Sequence, residues 1–276
     1  VIVEISPSVR VGKAEQLLVI AGPCQIESLG HCLLVGQYVK KICSNLPVSF
    51  VFKSSFDKAN RTSASSKRGV GIEEGLAILK AVREQLDVPV LTDIHTAEQA
   101  AQVGNVVDVL QIPAFLCRQT DLLVAAGKTG KTIHIKKGQF LHPSDMQFVA
   151  EKIASTGNTK ILLCERGTSF GYRDLVMDPR SLMMMRDTGY PVVFDATHSV
   201  QQLGGSGGSS GGSRRYVQAL ARAAVAVGVD GVFVECHDNP DNAPSDGPCM
   251  LPLGDVAPLL SLLCAIRQTV GSAVST

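Results

Sequence analysis

The chain has no tryptophan, and aromatic residues make up only 5% of it, which leaves few faces on which nucleic-acid bases stack. It has no excess of one charge either: a formal net charge of +1 provides no global field to recruit a polyanion or an acidic membrane. No uninterrupted apolar run approaches the roughly 18 residues of a membrane span, and the opening VIVEISPSVRVGKAEQ lacks the basic-then-apolar order of a leader. The cysteines, at 24, 32, 43, 117, 164, 236, 249 and 264, include no CxxC pair, so zinc-ribbon and dithiol motifs are absent. The expectation is a cytoplasmic protein that binds neither nucleic acid nor membrane and keeps most of its thiols free and buried.

What is present is a length of 276 residues with 45% hydrophobic and 18% charged residues, enough for one sizeable core and close to the roughly 250 residues of a closed β/α barrel. Short β-rich runs recur at 17–22 (LLVIAG), 48–53 (VSFVFK), 88–93 (VPVLTD), 107–113 (VVDVLQIP with its preceding Val), 132–137 (TIHIKK), 160–165 (KILLCE), 191–196 (PVVFDA) and 229–235 (VDGVFVE). Their continuous apolar character suits strands covered on both faces. Between them lie stretches such as GIEEGLAILKAVREQL (71–86), with apolar residues at helical intervals. Strand then helix, eight times, predicts an α/β fold, a (β/α)8 TIM barrel. An open doubly wound sheet is the alternative, but AGPCQIES after the first run is not the GxGxxG of dinucleotide-binding sheets.

The expected organisation is a single barrel domain over 1–276. Residues 1–16 read as a short N-terminal β-hairpin that plugs the closed end, and GGSGGSSGGS at 204–213 as a mobile loop.

In such a barrel, chemistry collects where strands end. The polar residues at those ends are Cys24; Lys53, Lys58 and Arg61; Asp93 and His95; Gln111 and Arg118; Lys136 and Lys137; Glu165 and Arg166; Asp195 and His198; and Glu235. One subset is cationic, namely Lys53, Lys58, Arg61, Arg118, Lys136 and Arg166. It fits a strongly anionic substrate, with arginines as forks for phosphate or carboxylate and lysines as point charges. A second subset, Cys24, His198, Glu235 and the nearby Asp246, mixes soft and hard donors as a borderline divalent ion requires. These four share no short spacing motif, His237 stands near Glu235 as a rival ligand, and Cys24 taken alone reads first as core filling and otherwise as a nucleophile or half of a disulfide.

The motifs AGPCQIES, FKSSFDKANRTS, TDIH, QIPAFLCRQTDLL, IKKGQF, CERGTSFGY, DATHSVQ and HDNP…APSDGP, in that order over residues 17–253, together resemble the 3-deoxy-D-manno-octulosonate 8-phosphate synthases. The resemblance implies a homotetrameric β/α barrel that joins phosphoenolpyruvate to arabinose 5-phosphate with release of phosphate, in lipopolysaccharide biosynthesis. It implies one divalent metal ion per subunit (zinc, iron(II), manganese or similar), because Cys24 stands where metal-independent forms carry Asn. Its ligands would be Cys24, His198, Glu235 and Asp246. By the same resemblance Lys53, Gln111, Arg118, Lys136 and Arg166 would hold phosphoenolpyruvate, while Lys58, Asn60, Arg61 and Ser63, with Asp93, would hold the sugar phosphate. Cys24, Lys58, Asp93 and His198 would act in catalysis, and Arg61 would reach a neighbouring subunit's site. Leu203 departs from the proline common there in the family. Two other readings stay open: the sister synthase that uses erythrose 4-phosphate, and a non-catalytic phosphosugar-binding barrel.

Overall fold

The computed structural model describes residues 1–60, 68–206 and 209–273. The chain opens with an antiparallel hairpin, β1 (Val3–Ser6) and β2 (Val9–Val11). The barrel strands follow as β3 (Leu17–Gly22), β4 (Val48–Lys53), β5 (Val90–Asp93), β6 (Val109–Ile112), β7 (Thr132–Lys136) and β8 (Ile161–Glu165). A small ribbon of β9 (Thr168–Phe170) and β10 (Asp174–Val176) precedes β11 (Val192–Asp195), and a second ribbon of β12 (Gln201–Ser206) and β13 (Ser209–Gly212) precedes β14 (Gly231–His237) and the short β15 (Leu251–Pro252). The helices are α1 (Leu29–Cys43), α2 (Ile72–Leu86), α3 (Gln99–Gly104), α4 (Thr120–Lys128), α5 (Met146–Ala154), α6 (Pro179–Arg186), α7 (Val217–Val227) and α8 (Leu253–Ala273).

Closure is made by β14, which pairs in parallel with β3 on one side (Gly231 opposite Leu18) and with β11 on the other (Gly231 opposite Val193). The eight strand-like runs of the sequence are the eight staves of this barrel. Side chains alternate across each stave. Leu17, Val19, Phe50, Phe52, Ile133, Ile135, Val192 and Phe194 point outward and join the helices in the main core. Leu18, Ile20, Val51, Leu91, Val109, Leu162, Cys164, Val193 and Phe233 point inward and form a second cluster with Val3, Val9 and Val11. The N-terminal hairpin therefore plugs one end, as expected, and leaves the opposite mouth to the polar ends of the strands.

Local signals set the helix ends. Ser28 caps α1, its hydroxyl accepting from the His31 amide at 3.2 Å, and Asp178 caps α6 ahead of Pro179. The α8 segment 253–271 is long and apolar enough to cross a membrane by length and composition. Its Val256, Leu259, Leu260 and Leu263 recur at helical spacing and are buried in the core. Within the segment read as a mobile loop, 204–213, residues belong to β12 and β13, where Gln201 lies opposite Gly212; residues 207 and 208 lie outside the described residues.

His134 is enclosed inside the barrel, stacked on Phe233 with centroids 5.9 Å apart and its Nδ1 3.1 Å from Gln111 Oε1. Burial, reinforced by Lys136, lowers its pKa from 6.5 to about 3. Above the unfolded value neither state carries the proton; below it the unfolded chain gains one that the folded chain refuses. Stability is thus expected to fall as pH drops from 6.5 toward 3, by up to about 1.4 kcal/mol per pH unit from this group. Urea unfolding of wild type and His134→Gln across that window checks it: the variant should show the shallower acid slope, and equal slopes would remove His134 from the account.

Candidate active site

The open mouth holds a cleft of about 910 Å³ lined by Lys58, Asn60, Asp93, Gln111, Lys136, Arg166, His198 and Asp246 among others. Its floor begins with β3. A Cβ on Gly22 would sit 2.0 Å from the Lys53 carbonyl oxygen, so only glycine lets this strand end pass so close to β4. The loop beyond then folds against β4: Lys53 Nζ donates to the Cys24 carbonyl at 2.8 Å and to Glu235 Oε1 at 2.6 Å.

The Cys24 sulfur lies 3.3 Å from Asp246 Oδ2. His198 Nε2 lies 3.5 Å from Glu235 Oε2 and 3.6 Å from Asp246 Oδ2. Donor atoms around a tetrahedral ion at about 2.1 Å stand roughly 3.4 Å from one another. Asp195 sets the histidine. Its carboxylate accepts from the His198 backbone N–H at 2.9 Å and from the Thr197 hydroxyl at 3.2 Å, and it takes ring Nδ1 at 2.8 Å. That contact commits Nδ1 and aims Nε2 at the carboxylates, the arrangement by which a second carboxylate orients a metal-binding histidine. Asp246 itself sits at φ +52°, a left-handed conformation that Asp tolerates better than most residues and that holds its carboxylate over the mouth.

The two carboxylates of this cluster are held ionised. Burial raises the Glu235 carboxyl, but Lys53, His198 and Lys58 outweigh it and bring the pKa down to about 2. Asp246 is likewise held well below the usual carboxylate range, His198 and Lys58 overriding burial. Burial would discharge His198, yet Asp195 and Glu235 keep it protonated up to about 10. The Cys24 thiol is pushed up by burial and by Glu235. Glu235 Oε2 is buried with no hydrogen-bond partner. Cys24, Glu235 and Asp246 offer donor atoms all within 4.8 Å of one another, so a thiol, an imidazole and two acids fit a borderline divalent ion.

Beside this cluster lies Arg166. Its guanidinium is buried, and burial lowers its pKa. Nη2 donates to Gln201 Oε1 at 2.7 Å, while Nε and Nη1 are buried without partners. Lys58 donates to Ser55 Oγ at 3.0 Å; burial opposes its charge, but Cys24, Glu235, Asp93 and Asp246 outweigh it and raise its pKa. Lys136 Nζ pairs with Asp195 at 2.7 Å and lies 4.0 Å above the Phe233 ring.

Residues 1–270 match the DAHP synthetase I family. The chain belongs to that family. Within it, the chain is 60% identical over 251 residues to the 2-dehydro-3-deoxyphosphooctonate aldolase of Rhizobium meliloti (strain 1021), covering 91% of this chain and 90% of the relative. It is 59% identical over 261 residues to the protein of that name from Magnetococcus marinus, covering 95% and 91% respectively. To the one from Cyanothece sp. (strain PCC 7425) it is 57% identical over 268 residues, covering 97% and 98%.

For this DAHP synthetase I chain, the mouth gathers Cys24, Lys58, Asn60, Asp93, Gln111, Lys136, Arg166, His198, Glu235 and Asp246. Lys53 is present too, but two of its contacts go to Glu235 and the Cys24 carbonyl. Arg118 is exposed and does not line the cleft of its own chain. Arg61 and Ser63 lie outside the described residues. Glu165, which precedes Arg166 in the sequence, faces the outer layer: it accepts from Gly167 N at 2.5 Å and lies 3.6 Å from Lys137 Nζ. Strand alternation alone carries that signal. Sequence reasoning passed over Gln201, which donates from Nε2 to Asp246 Oδ1 at 2.9 Å while accepting from Arg166. An amide near DATHS carries no charge pattern to flag it.

Proposed function

We propose that this chain condenses phosphoenolpyruvate with D-arabinose 5-phosphate and water to give 3-deoxy-D-manno-octulosonate 8-phosphate and inorganic phosphate. The name shared by its relatives describes that eight-carbon product, which favours a five-carbon acceptor over erythrose 4-phosphate. The observation that carries the reading is the buried Arg166 fork, two of whose nitrogens lack partners, at the edge of the Cys24, Glu235 and Asp246 donor cluster that His198 Nε2 faces. A desolvated guanidinium with open donors binds a phosphate or carboxylate strongly.

In the reaction, C3 of the enol phosphate attacks the aldehyde carbon and forms the new C–C bond. Water adds to C2, and the C2–O bond to phosphate then breaks, its electron pair leaving with the phosphate. The added water gives up both its protons, one to the former aldehyde oxygen and the second, as its oxygen becomes the C2 carbonyl, to the departing phosphate. Arg166 grips phosphoenolpyruvate, and Lys136 adds charge beside it. Gln111, whose Oε1 is taken by His134, keeps its amide nitrogen as a donor. Lys58 holds its proton firmly, so it offsets anionic charge rather than passing a proton. Asn60 and Asp93, with Arg61 and Ser63, hold the sugar phosphate; Asp93 is kept ionised and bonded to His95 Nε2 at 3.0 Å. Bringing two anions together in attack geometry accounts for roughly 7 to 11 kcal/mol of a barrier. Cys24, His198, Glu235 and Asp246 would hold the divalent ion, whose Lewis acidity serves either the aldehyde oxygen or the water. We further infer a cytoplasmic homotetramer in which Arg61, and on the same logic the exposed Arg118, serve a neighbouring mouth.

Gln201 ties the anion fork to a metal ligand. Gln201→Leu keeps the bulk and removes both bonds, at about 1 to 2 kcal/mol each. The expected result is a KM for phosphoenolpyruvate raised about tenfold with a smaller change in kcat, and initial-rate kinetics read that split. An unchanged KM would show the bridge to be idle.

The reading as a whole is tested by phosphate release from phosphoenolpyruvate with each aldose phosphate. Turnover with arabinose 5-phosphate and at most a trace with erythrose 4-phosphate is expected. The reverse preference would move the chain to the sister reaction, and binding without turnover to a non-catalytic barrel.

A further inference from the structure

A second group of donors lies on the rim outside the cleft, on the same two elements that carry Cys24 and Glu235. Glu27 lies in the loop leading from Cys24, His31 on the first turn of α1, and His237 at the end of β14. Their donor atoms all lie within 4.8 Å of one another. His237 Nε2 is 2.7 Å from Glu27 Oε1, and His31 Nδ1 is 3.7 Å from that same oxygen. The two rings lie 4.5 Å apart at their centroids.

The hydrogen bonding of this group is incomplete in one place. His31 Nε2 lies 3.0 Å from Asp238 Oδ1, and its Nδ1 is buried without a hydrogen-bond partner. In the tautomer that places the ring hydrogen on Nε2, Nδ1 keeps a lone pair that Glu27, itself an acceptor 3.7 Å away, does not satisfy and a cation does. Asp238 Oδ1 also lies 3.1 Å from His237 Nδ1, so one carboxylate stands behind both rings, where it fixes the ring orientation a metal needs.

We propose that Glu27, His31 and His237 form a peripheral site for a borderline divalent cation, with His31 Nδ1, His237 Nε2 and a Glu27 oxygen as ligands and Asp238 as the orienting group. Two imidazoles and one carboxylate are a donor set that suits zinc or cobalt(II) and leaves a coordination position for water. The proton now shared between His237 Nε2 and Glu27 is displaced, and the neutral ring carries its hydrogen on Nδ1 toward Asp238. The Asn239 amide, which donates to that Nδ1 at 2.8 Å, gives up its acceptor, and because Asn239 is exposed water replaces it. The positive end of α1 opposes a cation, and the two carboxylates offset it. An ion here clamps the start of α1 to the end of β14, and so steadies the loop and the strand that position Cys24 and Glu235.

Cobalt(II) separates this site from the one in the mouth, because only the mouth supplies a thiolate and its sulfur-to-metal absorption. Metal-stripped protein is titrated with cobalt(II), bound metal being counted by equilibrium dialysis. Wild type should bind two ions per chain. His31→Ala and Glu27→Gln should each bind one, with the thiolate band intact, which also reports a folded barrel. Cys24→Ala should bind one without the band. Wild type that binds a single ion lost in Cys24→Ala, or a second ion retained in either His31→Ala or Glu27→Gln, overturns the proposal. A single ion that survives in Cys24→Ala supports the rim site and counts instead against the ion in the mouth.

Discussion

Arg166→Met is expected to cut kcat/KM by a factor of roughly 10² to 10⁴ while leaving the melting temperature within a few degrees of wild type. The activity loss follows from two open nitrogens, Nε and Nη1, whose charge-assisted bonds to an anion contribute about 1.5 to 3 kcal/mol each. The unchanged stability follows from the environment. Among the described residues no carboxylate lies within ion-pair distance of this guanidinium, and burial already lowers its pKa. A buried charge replaced by an apolar side chain of similar length loses little fold stability and sometimes gains some. Steady-state kinetics beside thermal melts check both halves. A variant within tenfold of wild type would remove Arg166 from substrate binding, and a collapsed melt would make it a structural residue.

The split between binding and folding also explains what was legible in the sequence. The staves were legible because each is buried on both faces and reads as a continuous apolar run. The inward ends of those staves, Lys53, Asp93, Gln111, Lys136, Asp195 and Glu235, follow from strand alternation once the barrel is assumed. Convergence of Cys24, His198, Glu235 and Asp246 does not follow from spacing, since 222 residues separate Cys24 from Asp246. It came from the resemblance, and in space it depends on Gly22, on the Asp195-pinned turn and on the left-handed Asp246. Two partnerships escaped. Lys53 reads as a free cation for substrate, yet it is committed to Glu235 because a buried carboxylate needs a counter-charge. Gln201 has neither charge nor pattern to expose it.

The second large effect is expected at Cys24. Cys24→Asn replaces a thiol, 3.3 Å from Asp246 Oδ2, with a neutral amide of similar size. A structural zinc site holds its ion by about 10 to 16 kcal/mol over four ligands, so losing the thiolate should weaken divalent-ion binding by roughly 10² or more. Some turnover should persist without added metal, because on the proposed reading Arg166, Lys58 and Lys136 still position the anions and the resemblance implies Asn at this position in metal-independent forms. Competition with a chromophoric chelator measures the first change, and phosphate release in chelated buffer the second. Wild-type metal affinity in the variant would exclude the sulfur as a ligand.

Metal-dependent turnover tests the central claim most directly. Protein stripped of metal is titrated with zinc or manganese while phosphate release from phosphoenolpyruvate and arabinose 5-phosphate is followed. Activity near zero at the start, rising to a plateau as the mouth of each chain fills and failing to rise in His198→Ala, is the predicted result. Full turnover by the metal-free wild-type protein would contradict it.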